Sequence, residues 1–441
     1  MRVTRGSARA GSATRSERRH LSRVVVGGLA VTALLGTPLL PPPAGAASPF
    51  GQGCDQAFEE GTEVSEPLTG DSLPLEAMGV PAAQEELAAR GVEPGAGVTV
   101  VVLDSGAVGV PAVSAGAVLP SQAGGGRPLD HRGTTFAGIV AGASFTEEGA
   151  ERSTPVGIAP GAQVVSVRVL DDVDPDAEGT GATTEALTAG LRSVLPLVRA
   201  ADRTVVVAVP VAVPRGRALE AAAEELWDAG AIVVAGVGDR PVVDEARPDS
   251  ADVPLARPSA TEDAADVLGP AGAGHVVGVA ATDVADPLRS SAVDVAAPSV
   301  GALSWAANGA PCIAPGPSTT IATAEVAGVL ALLVSRFPDD SPQQLVDRLV
   351  GTAAGRADVA SRLTGAGLVQ AAEAVTRPLL PQRSGTSGET TVARDTASAL
   401  APPPVSDPLA GARDEALWWG LLGGGALLLA LVLRPVLARR R

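Results

Sequence analysis

Between residues 98 and 352, short β-branched runs alternate with alanine-rich stretches, and this alternation limits the possible folds more than any other feature. Residues 98–103 (VTVVVL), 164–170, 204–211, 231–237, 276–281 and 293–297 read as strands. Most are apolar without interruption, which suits strands buried on both faces. Residues 134–142, 183–200, 217–229, 320–337 and 341–352 read as helices. The last opens on Ser341-Pro342, the residue types favoured at an N-cap and first helical position. Strands alternating with helices predict an α/β fold: a parallel sheet with helices on both faces. Functional residues are then expected at the C-terminal ends of the strands. Aromatic residues make up only 2 % of the chain and Tyr is absent, so Ala, Val, Leu and Gly must fill the core.

The two ends carry different signals. Residues 1–47 read as a secretory signal peptide: seven Arg, an apolar run over 24–40, three prolines and the small-residue stretch Ala44-Gly45-Ala46-Ala47. Residues 48–93 form an acidic arm with a predicted helix over 81–90. Residues 94–376 hold the main domain, and residues 377–415 read as a Pro/Ser/Gly-rich stalk that cannot build a core. Residues 416–437 read as a transmembrane helix, because its uncharged stretch 416–433 is long enough to span and begins with Trp418 and Trp419 near one interface. Residues 438–441 are a basic tail; with Arg434 they place the C-terminus in the cytoplasm and the main domain outside, in a single-pass arrangement at the cell membrane.

Formal charge is −16, but both ends are basic. Without residues 1–47 and 434–441 the body keeps 22 Arg against 48 acidic residues, a net of −26. Such a body repels phosphate backbones and argues against nucleic-acid binding. The acidic run Asp171, Asp172, Asp174 and Asp176 lacks an EF-hand pattern and reads as a solvated loop. No metal or cofactor is expected. Cys54 and Cys312 both lie in the exported part, where either a bridge or two free thiols is compatible with the sequence. His275 precedes a strand and reads as a surface residue.

Three segments carry candidate chemistry. The first, GAGVTVVVLDSGA (95–107), puts Asp104 at a strand end, where a carboxylate can orient a partner side chain. The second is LDHRGTTFAGIVAG (129–142) and the third GPSTTIATAEVAGVLALLVSRFP (316–338). In order and pattern they resemble the Asp, His and Ser blocks of the subtilisin-like (S8) serine proteases. The resemblance implies a subtilisin-like fold and a serine endopeptidase ancestry. It places Asp104 on the catalytic Asp, Arg132 on the His position and Thr320 on the Ser position. A fourth segment, AIVVAGVGD (231–239), resembles the strand that ends in the family's oxyanion Asn, and Asp239 stands there. The 204–214 strand resembles the substrate-lining strand but carries Pro210, which cannot donate a backbone hydrogen bond.

Each departure has a chemical consequence. Arg does not deprotonate near neutral pH and cannot act as a general base. Thr adds a methyl to an attack geometry built for Ser. A carboxylate at Asp239 repels a developing oxyanion instead of stabilising it. In subtilisin itself, loss of Ser or His alone costs about 10⁶ in kcat. His131, one residue before the matching position, is the alternative base, and Ser318 an alternative hydroxyl. A one-residue shift at a helix start turns a side chain by about 100°.

The layout of leader, acidic arm, Asp block, stalk and single C-terminal helix is most similar to the mycosins, serine endopeptidases associated with type VII secretion. That resemblance implies a partner in the type VII secretion membrane complex. Three readings follow: a catalytically impaired scaffold on that complex; an active S8 endopeptidase using Asp104, His131 and Thr320 or Ser318; or an envelope protein that captures extended peptides without cleaving them.

Overall fold

The computed structural model describes residues 50–60, 68–110, 113–118, 128–146, 151–171, 181–241, 254–355, 361–378 and 424–425. The leader, nearly all of the stalk and of the C-terminal apolar segment, the basic tail, and Asp172, Asp174 and Asp176 lie outside the described residues.

The sheet is built from β1 (Thr99–Asp104), β2 (Val113–Val118), β3 (Gln163–Arg168), β4 (Val206–Val209), β6 (Ile232–Gly236), β8 (Val276–Ala281) and β9 (Val295–Ala297). Its order is β2-β3-β1-β4-β6-β8-β9, with every neighbouring pair parallel. Among the described residues, two small antiparallel pairs complete the strands: β5 (Val213–Pro214) with β7 (Leu268–Gly269), and β10 (Leu303–Trp305) with β11 (Pro311–Ile313).

The pleat sorts side chains to two faces. Val100, Val102, Val206, Ala208, Ile232 and Val234 point to one face, where α3 (Val80–Ala89), α4 (Arg132–Ala141) and α7 (Thr319–Arg336) pack. Their sequence neighbours Val101, Leu103, Val207, Val209 and Val233 point to the other, against α5 (Thr184–Ala200) and α6 (Arg217–Asp228). Uninterrupted apolar strands are therefore required, because both faces are covered. The expected α/β class with helices on both faces is what the chain adopts.

Helix α7 is apolar and long enough to pass for a membrane span, yet 94 % of it is buried inside the domain. It is the central core helix. Gly328 lets it lie against the loop before β3: a Cβ there would sit 2.7 Å from Cβ of Ile158. The remaining α-helices among the described residues include α1 (Cys54–Glu60), α2 (Leu73–Ala77), α8 (Pro342–Gly351) and α9 (Ala371–Thr376). α8 begins with a full capping box between Ser341 and Gln344.

The first part of the N-terminal arm lies along the β10–β11 hairpin. Ile313 N donates to Gln52 O at 3.0 Å, and a Cys54–Cys312 disulfide joins the two segments across 258 residues of sequence. Exposed His275 stacks on Trp227, with ring centroids 4.8 Å apart.

Candidate functional site

Four segments converge beyond the C-terminal edge of the sheet. Asp104 is the last residue of β1 and is buried. Its Oδ1 accepts from Ser105 N at 2.7 Å, which fixes the carboxylate close to the backbone. α4 starts opposite with Arg132. It approaches closely because residue 133 is Gly: a Cβ there would run into the carbonyl oxygen of Gly106. Gly133 N donates to Ser105 Oγ at 3.1 Å, and Val108 N to Thr134 Oγ1 at 3.1 Å, so two further bonds lock the helix start to the turn after β1.

Arg132 joins the centre together. Its Nη2 lies 3.1 Å from Asp104 Oδ2 and 3.1 Å from Thr320 Oγ1, and its Nε donates to Asp104 Oδ1 at 3.4 Å. One guanidinium thus fills the space between the acid at the end of β1 and the hydroxyl at the start of α7. Burial works against its charge, but the carboxylates of Asp104, Asp130 and Asp239 and the bond to Asp104 outweigh that, and its pKa rises above the ordinary arginine value. Arg132 therefore stays charged at every accessible pH.

His131 occupies the N-cap position of α4 and turns to Asp130, with Nδ1 3.3 Å from Asp130 Oδ1. The same Asp130 oxygen accepts from Arg132 N at 2.7 Å. Burial raises the Asp130 pKa, opposed by that backbone bond.

The start of α7 is closed by its own sequence. Ser318 is the N-cap, and its Oγ accepts from Thr320 N at 3.1 Å. Asp239, at the end of the segment leaving β6, acts as a second cap. Its carboxylate accepts from Thr319 N at 2.9 and 3.2 Å and from Ser318 Oγ at 2.9 Å. A carboxylate at a helix N-terminus is electrostatically favoured. The amide hydrogens at the start of α7 are thus already engaged by Asp239 and Ser318. Ser318 N donates to Ser299 Oγ at 3.0 Å, and Ser299 is in turn held by Asp283.

The chemistry available to Thr320 follows from its contacts. Its Oγ1 accepts from Arg132 and donates to Pro210 O at 3.4 Å. Neither partner is a side-chain base able to take the hydroxyl proton.

Beside this centre lies a cavity of about 360 Å³. Its polar lining is Arg132, Asp239, Thr319 and Thr320; its apolar lining includes Val211, Ala212, Leu255, Val267 and Leu268. Arg240, which the sequence reading passed over, shapes one wall. It pairs bidentately with Glu262 at 2.8 and 2.9 Å and donates to Leu255 O at 2.7 Å. The bonds to Arg240 hold the Glu262 carboxyl below the usual range against the effect of burial. Glu325, also passed over, lies within α7 with no exposed surface and no hydrogen-bond partner on either oxygen. Burial, with a smaller contribution from Asp283, raises its pKa well above the ordinary carboxyl value. The available signal was a single acid in an otherwise uncharged stretch, residues 319–335.

A seven-stranded parallel sheet with a buried acid at a strand end, facing two convergent helix N-termini, defines the subtilisin-like class of α/β folds. Residues 95–368 match the subtilase family model of S8 peptidases, and the chain belongs to that family. No curated protein matches the chain. Among solved structures it is similar to the MycP3 protease from the type VII (ESX-3) secretion system: 24 % identity over 70 % of this chain and 89 % of that one, TM-score 0.53. It is also similar to MycP1 from Mycobacterium smegmatis, at 22 % identity over 76 % and 89 %, TM-score 0.53. A chain of an intact ESX-5 inner membrane complex matches at 20 % identity over 82 % and 90 %, TM-score 0.53. At these identities the likeness establishes the fold.

Proposed function

We propose that the chain is a mycosin-like, membrane-anchored member of the subtilase family that has lost peptidase chemistry and serves as a scaffold on a type VII secretion membrane complex. The observation that carries the reading is the single guanidinium of Arg132, which bridges Asp104 and Thr320 where a general base would have to stand. The second support is Asp239, which caps α7 with a negative charge where an oxyanion donor is needed. Similarity to mycosin structures and to a chain of the ESX-5 complex supports the partner, and the Pro-rich segment followed by an uncharged apolar run and a basic tail in the sequence supports the anchor. The geometry favours Arg132 over His131 as the residue joined to the centre, because His131 is turned to Asp130.

The test is affinity purification of the tagged full chain from its native membranes, followed by mass spectrometry. Recovery of type VII membrane components in near-stoichiometric amount, unchanged by a serine-hydrolase inhibitor, is expected. Recovery of the chain alone contradicts the scaffold role.

A second reading, capture of peptides without turnover, is favoured by one observation: the cavity beside the altered centre remains open, and Arg240 holds its wall in place.

A further inference from the structure

We propose that the cavity beside Asp239 binds the free amino terminus of a peptide whose first residue is apolar, with the α-ammonium at Asp239 and the first side chain in the cavity. The proposal rests on peptide capture without turnover and gives that reading a ligand class.

The argument begins with the balance of donors and acceptors. A site that stabilises an oxyanion offers hydrogen-bond donors; this one offers acceptors. Thr319 N and Thr320 N are already engaged by Asp239 and by Ser318 Oγ. Asp239 is exposed, and among the described residues its two oxygens accept from Thr319 N and Ser318 Oγ. A carboxylate has about four acceptor positions, so capacity remains for a ligand. Pro210 O, which accepts from Thr320 Oγ1 at 3.4 Å beside the same cavity, keeps a second lone pair for a ligand. An ammonium brings three N–H donors and no acceptor.

Charge leads to the same class. Among the described residues, Arg132 is the one cation lining the cavity, and Asp104 holds it in an ion pair. Asp104 and Asp239 together outweigh it, and Asp130 adds nothing positive. The carbonyl of a peptide laid across this centre would face the Asp239 carboxylate and be repelled. A terminal ammonium in the same place would be attracted and would form charge-assisted hydrogen bonds.

Geometry then selects the residue. In a terminal amino acid, the ammonium and the side chain leave the same carbon. If the ammonium meets Asp239, the side chain can enter the adjoining apolar cavity. That cavity, lined by Val211, Leu255, Val267 and Leu268, suits Leu, Met or Phe better than a charged side chain.

The experiment uses the full chain in detergent and fluorescence polarisation with four hexapeptides, each labelled on a C-terminal Cys. Two begin with Leu, one with a free and one with an acetylated terminus. The third begins with Asp and has a free terminus; the fourth begins with Lys and is acetylated. The free Leu peptide is expected to bind at least about tenfold more tightly than the other three, as the loss of one charge-assisted contact or the apolar fit implies. Asp239→Asn should erase the difference between free and acetylated Leu peptides while keeping the fold. The wild-type comparison stands on its own if that variant fails to fold. Equal binding of free and acetylated Leu peptides, equal binding of the acetylated Lys peptide, or no binding up to about 1 mM overturns the proposal. Mass spectra of the recovered peptides separate the two claims: cleaved peptide contradicts loss of peptidase chemistry, whereas intact peptide with no preference contradicts the ammonium site alone.

Discussion

Two buried acidic side chains stand at opposite extremes of partnership. Asp104 at the end of β1 is fully served: Arg132 pairs with it through two nitrogens, and Ser105 N completes the set. Glu325 in the middle of α7 has no exposed surface and, among the described residues, no hydrogen-bond partner. The first is a compensated pair that links β1, α4 and α7. The second is a carboxyl stable only in its neutral form. The charges at the centre thus serve as a cross-link, whereas the core helix holds an acid that the fold tolerates at a cost. A buried charge need not be a weak point; whether it finds a partner decides.

The largest expected effect breaks the first member of that comparison. Arg132→Ala leaves the Asp104 carboxylate buried and uncompensated and should destabilise the domain by about 3–5 kcal/mol. Urea unfolding at neutral pH measures it. A loss below about 1 kcal/mol would mean that the ion pair is no stronger than a surface one.

Glu325→Leu should act in the opposite direction. The folded-state pKa of Glu325 lies above its unfolded value, so the folded chain binds more protons than the unfolded chain between the two. Stability is therefore greatest below the ordinary glutamate value, about 4.3, and falls as pH rises above it towards the folded-state pKa. Replacing the acid should raise stability at neutral pH by about 1–3 kcal/mol and flatten this part of the pH profile. Parallel pH profiles for wild type and variant would show that Glu325 has a partner after all.

The smallest effect sharpens the account of the α7 start. Ser318→Ala removes a cap and should cost about 1 kcal/mol, less than the loss of Arg132, because Asp239 still holds Thr319 N. Thermal unfolding reads the difference. A loss as large as that of Arg132→Ala would place the main tie of the centre at Ser318.

Much of this was legible in the sequence, for physical reasons. The sheet strands announce themselves because strands buried on both faces must be apolar throughout. The positions of Asp104, Arg132, Thr320 and Asp239 were legible because glycine-rich blocks fix their register: Gly133 has to be Gly for α4 to approach β1. β5, β7, β10 and β11 were not legible, since two or three residues are too short for a period to show. Arg240 was missed because its role depends on Glu262, 22 residues away across a loop, and no local pattern encodes that bond. The capping role of Asp239 was missed for a related reason: its partners, Ser318 and Thr319, lie about 80 positions along the chain. Read alone, Asp239 showed only what it could no longer do.

The central claim is that the centre has become a structural tie without a usable nucleophile. Incubating the purified full chain with a fluorophosphonate, beside authentic subtilisin, and measuring intact mass tests it most directly. The account predicts labelled subtilisin and no adduct on this chain. An adduct on Thr320 or Ser318 that disappears in His131→Ala would contradict it and assign the base to His131.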